Sequence, residues 1–269
     1  MRALLSKFAL ITALYALVSG AAQGSSLDAE HEPLRPIAEE SALLEKGRPS
    51  AQQKALVRLG RQPDTAADKV LLTQMERYRS GELPPVLWLE LFEAVAKRKD
   101  PALKTCFTET WSKIEKSPDP LASFHQCLRG GDAEAGREVF TQKPQAGCIR
   151  CHSVDGHGGQ IGPELTWLRH SVERLHILES IILPNATIAE GFASATLKLQ
   201  NGEEISGVLT SENGHDVTVT NVTDGKKRKI LVADIAERTP LPSPMPPHFG
   251  MVLSKREIRD LVEFLAEGD

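Results

Sequence analysis

The chain has 269 residues, of which 41% are hydrophobic and 25% charged, and a formal net charge of −4. That length suits about two domains, and the composition is that of an ordinary globular protein without long disordered tracts. No basic stripe or aromatic-rich motif points to nucleic acid.

Arg2 and Lys7 precede an apolar run from Phe8 to Val18, broken only by Thr12, and small residues follow from Ser19 to Gly24. Positive, apolar, then small is the order of a secretory signal peptide, predicted over residues 1–24. The run is short for a membrane span, so none is expected after cleavage; an uncleaved anchor is the alternative. The mature chain is expected to be periplasmic or exported. In an oxidising compartment Cys106 and Cys127 either form a disulfide or pack as two buried thiols.

Residues 25–35 are polar and read as a loop. Apolar residues then recur at helical spacing: Ala55, Leu56 and Leu59; Val70, Leu71, Met75 and Tyr78; Leu87, Leu91 and Val95; Leu103, Phe107, Trp111 and Ile114. Pro84, Asp100-Pro101 and Ser117-Pro118 mark helix starts. These features predict an array of helical hairpins over residues 25–130, with Met75, Trp88 and Trp111 in its core. Gly130-Gly131 ends the pattern, and Asp132 caps a further helix over 133–140. The second domain is therefore placed at 131–269.

Cys148-Ile149-Arg150-Cys151-His152 follows that helix. A C-x-x-C-H run is the attachment pattern of a c-type haem: two thiols on one turn add across two vinyl groups, and the next His sits beneath the iron. The rival readings are a zinc site, which needs four ligands and finds no second Cys pair here, and a redox disulfide, which needs a βαβ setting. Haem then demands a second axial ligand nearer the C-terminus. Met245, held between prolines in Ser243-Pro244-Met245-Pro246-Pro247, is the first choice, ahead of Met251 and His248. Trp167 and Leu168 are placed against the ring, with generic core as the alternative.

From residue 192 the period changes to two. Ala195, Leu197 and Leu199, then Ile205, then Val217 and Val219, then Ile230 and Val232 are separated by Asn201-Gly202, Asn213-Gly214 and Asp224-Gly225. Such dipeptides favour tight hairpins, which predicts a four-stranded antiparallel meander at about 192–236. Lys226–Lys229 is a basic run on it, either a solvated strand end or a dock for an acidic partner. Ser254 caps a last helix with Ile258, Leu261, Val262 and Leu265 on one face. The Asp and Glu residues read as helix surface, and no nucleophile–base set, phosphate loop or carboxylate pair stands out.

The order of helix, Cys148–His152, Gly162-Pro163-Glu164-Leu165, middle helix, Met loop and last helix resembles a class I cytochrome c. More narrowly, residues 131–269 resemble the haem-binding domain found at the C-terminus of large membrane-bound dehydrogenases of planctomycete-type bacteria. The residues carrying this include Gly147–His152, Gly162–Leu165, Leu178–Asn185, Ile188–Gly191, Ser206–Val208 and Ser243–Pro246. Glu164 departs from that family's Gly-Pro-Asp-Leu. The resemblance implies one covalent haem c bound by Cys148, Cys151, His152, Gly162, Pro163, Leu165 and Met245, with His152 and Met245 on the iron. It also implies a Pro163 carbonyl that orients His152, a β-rich insert before the Met loop, and HEAT-like helices ahead of the domain. The expected fold is α+β: an N-terminal α-helical, HEAT-like array, then an all-α cytochrome c domain carrying the inserted meander. The dehydrogenase propeller of such proteins is absent from the sequence. The expected function is accordingly single-electron transfer by an exported carrier rather than an enzyme, between a separate dehydrogenase and a downstream acceptor. A haem peroxidase or gas sensor, and a haem-free interaction scaffold, are the alternatives.

Overall fold

A computed structural model describes residues 31–267; the predicted signal peptide lies outside them. Helices α1 (Ile37–Lys46), α2 (Pro49–Arg61), α3 (Ala66–Ser80), α4 (Trp88–Ala96) and α5 (Pro101–Glu115) form the first half. Proline opens α2 and α5, where a missing N–H costs nothing, and the Asp100 carboxylate accepts from the Leu103 amide at 2.9 Å. Helix α3 stops at Gly81, whose φ of 80° is open to glycine. Alternate helices stack, α2 on α4 and α3 on α5. At the α2–α4 crossing, a Cβ on Gly60 would lie 2.8 Å from the Ala94 Cα, so only glycine permits the approach. Leu56, Leu59, Leu71, Met75, Leu91 and Leu103 fill this core, with Trp88 and Trp111 packed on its side, as expected.

A second core begins before the glycine pair. Leu121 and Cys127 are buried in it, the latter on a 3-10 stretch (Ala122–Cys127) rather than an α-helix. The two cores thus part between Ile114 and Leu121. Cys106 and Cys127 are free buried thiols, one in each core. Helix α6 (Ala133–Gln142) starts at Asp132, whose carboxylate accepts from the Glu134 and Ala135 amides. It crosses the last helix at Gly136, where a side chain would overlap the Asp260 carbonyl. Between them come a hairpin of β1 (Ser153–Val154) and β2 (His157–Gly158), short α7 (Leu168–Ser171), α8 (Arg174–Ile182), the sheet, short α9 (Phe249–Val252) and α10 (Lys255–Glu267).

The expected all-α second domain with a four-stranded meander is not what folds. The chain is mixed α/β, with ten α-helices among the described residues, the β1–β2 hairpin and a five-stranded antiparallel sheet. Strands β3 (Ser194–Leu199), β4 (Glu204–Glu212), β5 (Asp216–Thr220) and β6 (Lys227–Leu231) follow the anticipated turns, but β7 (Ile235–Leu241) adds itself to β3, giving the order β6-β5-β4-β3-β7. Its residues are almost all exposed, so no alternation of apolar and polar side chains announces it; backbone pairing from Leu199↔Ile235 to Ser194↔Leu241 holds it. Pro240 is tolerated because the strand is an edge. Ala195, Leu197, Val217, Val219 and Ile230 make a small core on one face.

Not all carboxylates are surface either. Glu40, Glu90, Asp68 and Asp260 are buried. Glu40 takes the Arg58 guanidinium at 2.6 and 2.8 Å, Asp68 takes Arg98 at 2.6 Å, and Glu90 takes Arg259 at 2.8 Å. Helix α10 is consequently enclosed on its charged side as well as its apolar one.

Candidate functional site

Gly147, at φ 58°, turns the chain out of the loop after α6 into a 3-10 turn, Cys148–Arg150. The Cys151 and His152 amides both donate to the Cys148 carbonyl, at 3.1 and 2.9 Å, which puts the two thiols and the imidazole on one tight turn. The segment from Gly159 to Leu165 wraps it: the Ile161 and Gly162 amides donate to Cys151 O, and the Leu165 amide donates to Ser153 O.

Cys148, Cys151 and His152 face a cavity of about 260 Å³ with a mostly apolar wall. Gly162, Pro163, Leu165 and Leu168 line it, as anticipated, and so does Met245 from the loop before α9. The Met245 amide donates to Ser243 Oγ at 3.2 Å, and the Ser243 amide to Asn185 Oδ1 at 2.8 Å, so the loop is tied to the far end of α8. Two residues stand elsewhere. Trp167 does not line the cavity; it is 76% exposed, because it sits at the start of α7 with Leu168 turned inward in its place. Met251 is 82% exposed on α9, which removes it as a rival for Met245.

The imidazole is held on two sides. His152 Nδ1 lies 2.9 Å from the Pro163 carbonyl oxygen. A carbonyl only accepts, so Nδ1 carries the proton and Nε2 keeps a free lone pair. Burial lowers the pKa of His152, opposed by the Pro163 hydrogen bond, which keeps the ring neutral and able to act as a ligand at neutral pH. On the ring's face, a Cβ at Gly162 would come within 2.5 Å of His152 Cε1. Glycine is what lets the imidazole lie there.

Both thiols sit in apolar surroundings that favour their protonated form. Burial pushes Cys148 up to about 11, aided by Cys151, against a backbone hydrogen bond. Burial also raises Cys151, against the pull of Arg150. A thioredoxin-type nucleophile instead needs a stabilised thiolate. Among the described residues, no group of three or more His, Cys, Asp or Glu converges as a metal site. Nor does the Cys pair lie at a strand end in a βαβ unit; it lies on a loop turn.

Several lining residues lie outside the Cys148–His152 and Met245 motifs. Ile188 and Phe192, from the loop after α8, and Val208, from β4, close one side, and Leu261 and Leu265 of α10 close another. Val208 follows Gly207, where a side chain would overlap the Thr220 carbonyl, so the sheet's root packs tightly beside the cavity. The Ile188–Gly191 and Ser206–Val208 runs that carry the resemblance, and the apolar face of the last helix, were the sequence signals for this wall. Other polar side chains on the lining are few: His176, Ser180, Thr187 and Ser243.

Compared with known protein families and with curated proteins, the chain gives no match to either.

Proposed function

We propose that this chain is an exported mono-haem c-type cytochrome that passes single electrons between a separate periplasmic dehydrogenase and a downstream acceptor. One observation carries the reading: Cys148, Cys151 and His152, picked out by the C-x-x-C-H spacing, and Met245, picked out by its proline-flanked loop, line the same apolar cavity. The residues present fit a flat apolar ring bound at both faces. Cys148 and Cys151 would hold it covalently through thioethers, His152 Nε2 and the Met245 sulfur would hold its iron, and Leu165 and Leu168 would pack on it. Bound there, the iron would supply one-electron cycling between its ferric and ferrous states.

The protein's own part is to orient and to exclude water. Pro163 fixes the tautomer of His152, Gly162 admits its ring, and the Ser243–Asn185 tether restrains the loop that carries Met245. Apolar walls from α8, α10 and the sheet's root keep the surroundings dry, which limits solvent reorganisation around a change of charge. Among the described residues no helix is long and apolar enough to cross a membrane.

The test is expression of the full chain with c-type maturation machinery, followed by haem staining after denaturing electrophoresis. The native chain is expected to keep its stain and the double variant Cys148→Ser, Cys151→Ser to lose it. An unstained native chain would leave the haem-free scaffold standing.

A further inference from the structure

Helix α10 serves both halves of the chain. One face brings Leu261 and Leu265 into the cavity wall. The opposite face brings Arg256 and Arg259 to α4, across the boundary between the two cores. There the Glu90 carboxylate, 0% exposed, accepts from Arg259 Nη1 at 2.8 and 3.0 Å. Arg256 Nη1 stands 3.5 Å from the same carboxylate and also pairs with Glu93. Arg259 itself is 2% exposed. Glu90 is a lone charge in an apolar stretch, between the buried Leu89 and Leu91.

A carboxylate enclosed in this way tolerates its cations in only one place, since moving either one leaves a buried charge uncompensated. The constraint passes along α10. Successive residues of a helix are turned by about 100° and raised by 1.5 Å, so a small slip at Arg259 swings Leu261 and Leu265 off the cavity. Other contacts on α10 come from both halves: Asp260 accepts from the Asp132 amide, Glu263 pairs with Arg174, and the Lys255 ammonium lies 4.3 Å from the Trp111 ring of α5. Among these contacts, the one from α4 is the one that brings a fully buried carboxylate from the first core.

We propose that Glu90 is a positioning residue for the cofactor cavity: through Arg259 and Arg256 it sets the rotation and height of α10, so that the first-half helices act as the rigid backing of the cavity wall. This inference rests on the haem reading above. An ion pair that only stabilises would, when shortened, lower Tm and leave the iron–sulfur band intact, whereas a positioning one changes the band as well.

The experiment uses the full chain matured with haem, and reads the absorption band of sulfur-bound ferric iron alongside thermal unfolding. Glu90→Asp keeps every charge and shortens the arm by one methylene; it is expected to retain one covalent haem per chain but lose at least half of the band. Leu71→Ala, in the first core and away from α10, is the control for general destabilisation and is expected to keep the band while lowering Tm. A full band in Glu90→Asp, or an equal loss in Leu71→Ala, overturns the proposal. If Glu90→Asp is recovered unfolded, Glu90→Gln, which keeps the arm's length and removes its charge, is read for loss of the band against the same Leu71→Ala control. A native chain that takes up no haem overturns the cofactor reading itself, a result distinct from any of these.

Discussion

The Pro163 carbonyl oxygen accepts from His152 Nδ1 at 2.9 Å, and the glycine just before it lies against the same imidazole. Two successive residues thereby set the tautomer and the tilt of the ring. Substituting Gly162→Ala places a methyl where the ring edge is now. The imidazole must yield, because the alternative is movement of a backbone held by the Cys151 carbonyl. Overpacking of this kind costs about 1–3 kcal/mol. The expected result is a chain that still carries covalent haem, with a shifted Soret band and an iron–imidazole bond weak enough to be displaced by added imidazole. Unchanged titration with imidazole would show that the contact has no influence on ligation.

Met245 and Met251 make a paired test. The first lines the cavity; the second is exposed on α9. Met245→Ala is expected to keep the haem, open the sixth position to rapid CO binding, and lower the reduction potential by on the order of 100 mV, within the range that axial ligands command. Met251→Ala should change neither. If the two results are exchanged, the ligand assignment is wrong; if the native protein itself binds CO rapidly, the sensor or peroxidase reading gains over the electron carrier.

Asp260 predicts a pH dependence. Burial is the main cause that raises its pKa to about 6, partly offset by the Asp132 amide and by Arg259. The unfolded carboxyl titrates near 3.8. Between those values the folded chain holds the proton that the unfolded chain has released, so this group's contribution to stability is present below about pH 4 and lost as pH rises through 6. A shift of about two units corresponds to roughly 3 kcal/mol. Asp260→Asn retains an acceptor for the Asp132 amide and removes the titration. Urea unfolding at pH 4 and pH 7 is expected to show native stability falling relative to the variant by up to that amount; parallel curves would rule the effect out.

The site was more legible than the fold around it. Chemistry-bearing residues are rare types at fixed spacing, so Cys148, Cys151 and His152 could be picked out singly, and Met245 followed from the stiffness of its prolines. Trp167 was misplaced because an aromatic beside a motif carries no direction; its facing depends on where α7 begins. Strand β7 escaped because a strand bonded by its backbone alone leaves no apolar period. The carboxylates escaped for another reason. Glu90 and Arg259 are 169 positions apart, and periodicity is blind beyond its own helix. One trace was there to read: Glu90 lies inside the apolar run Trp88-Leu89-Glu90-Leu91-Phe92, where a carboxylate facing the core needs a buried cation.

Ser194 and Leu241 sit opposite one another where β3 meets β7. The excursion into the sheet therefore leaves and returns through a single doorway, two ladder neighbours about 5 Å apart. Whatever lies beyond that doorway can be lengthened, trimmed or exchanged without re-threading the path from α8 to the Pro-Met-Pro loop. Only the threshold, at Phe192 and Val208, touches the pocket. The sheet can therefore vary in outline while the one wall residue it contributes, Val208, stays in place.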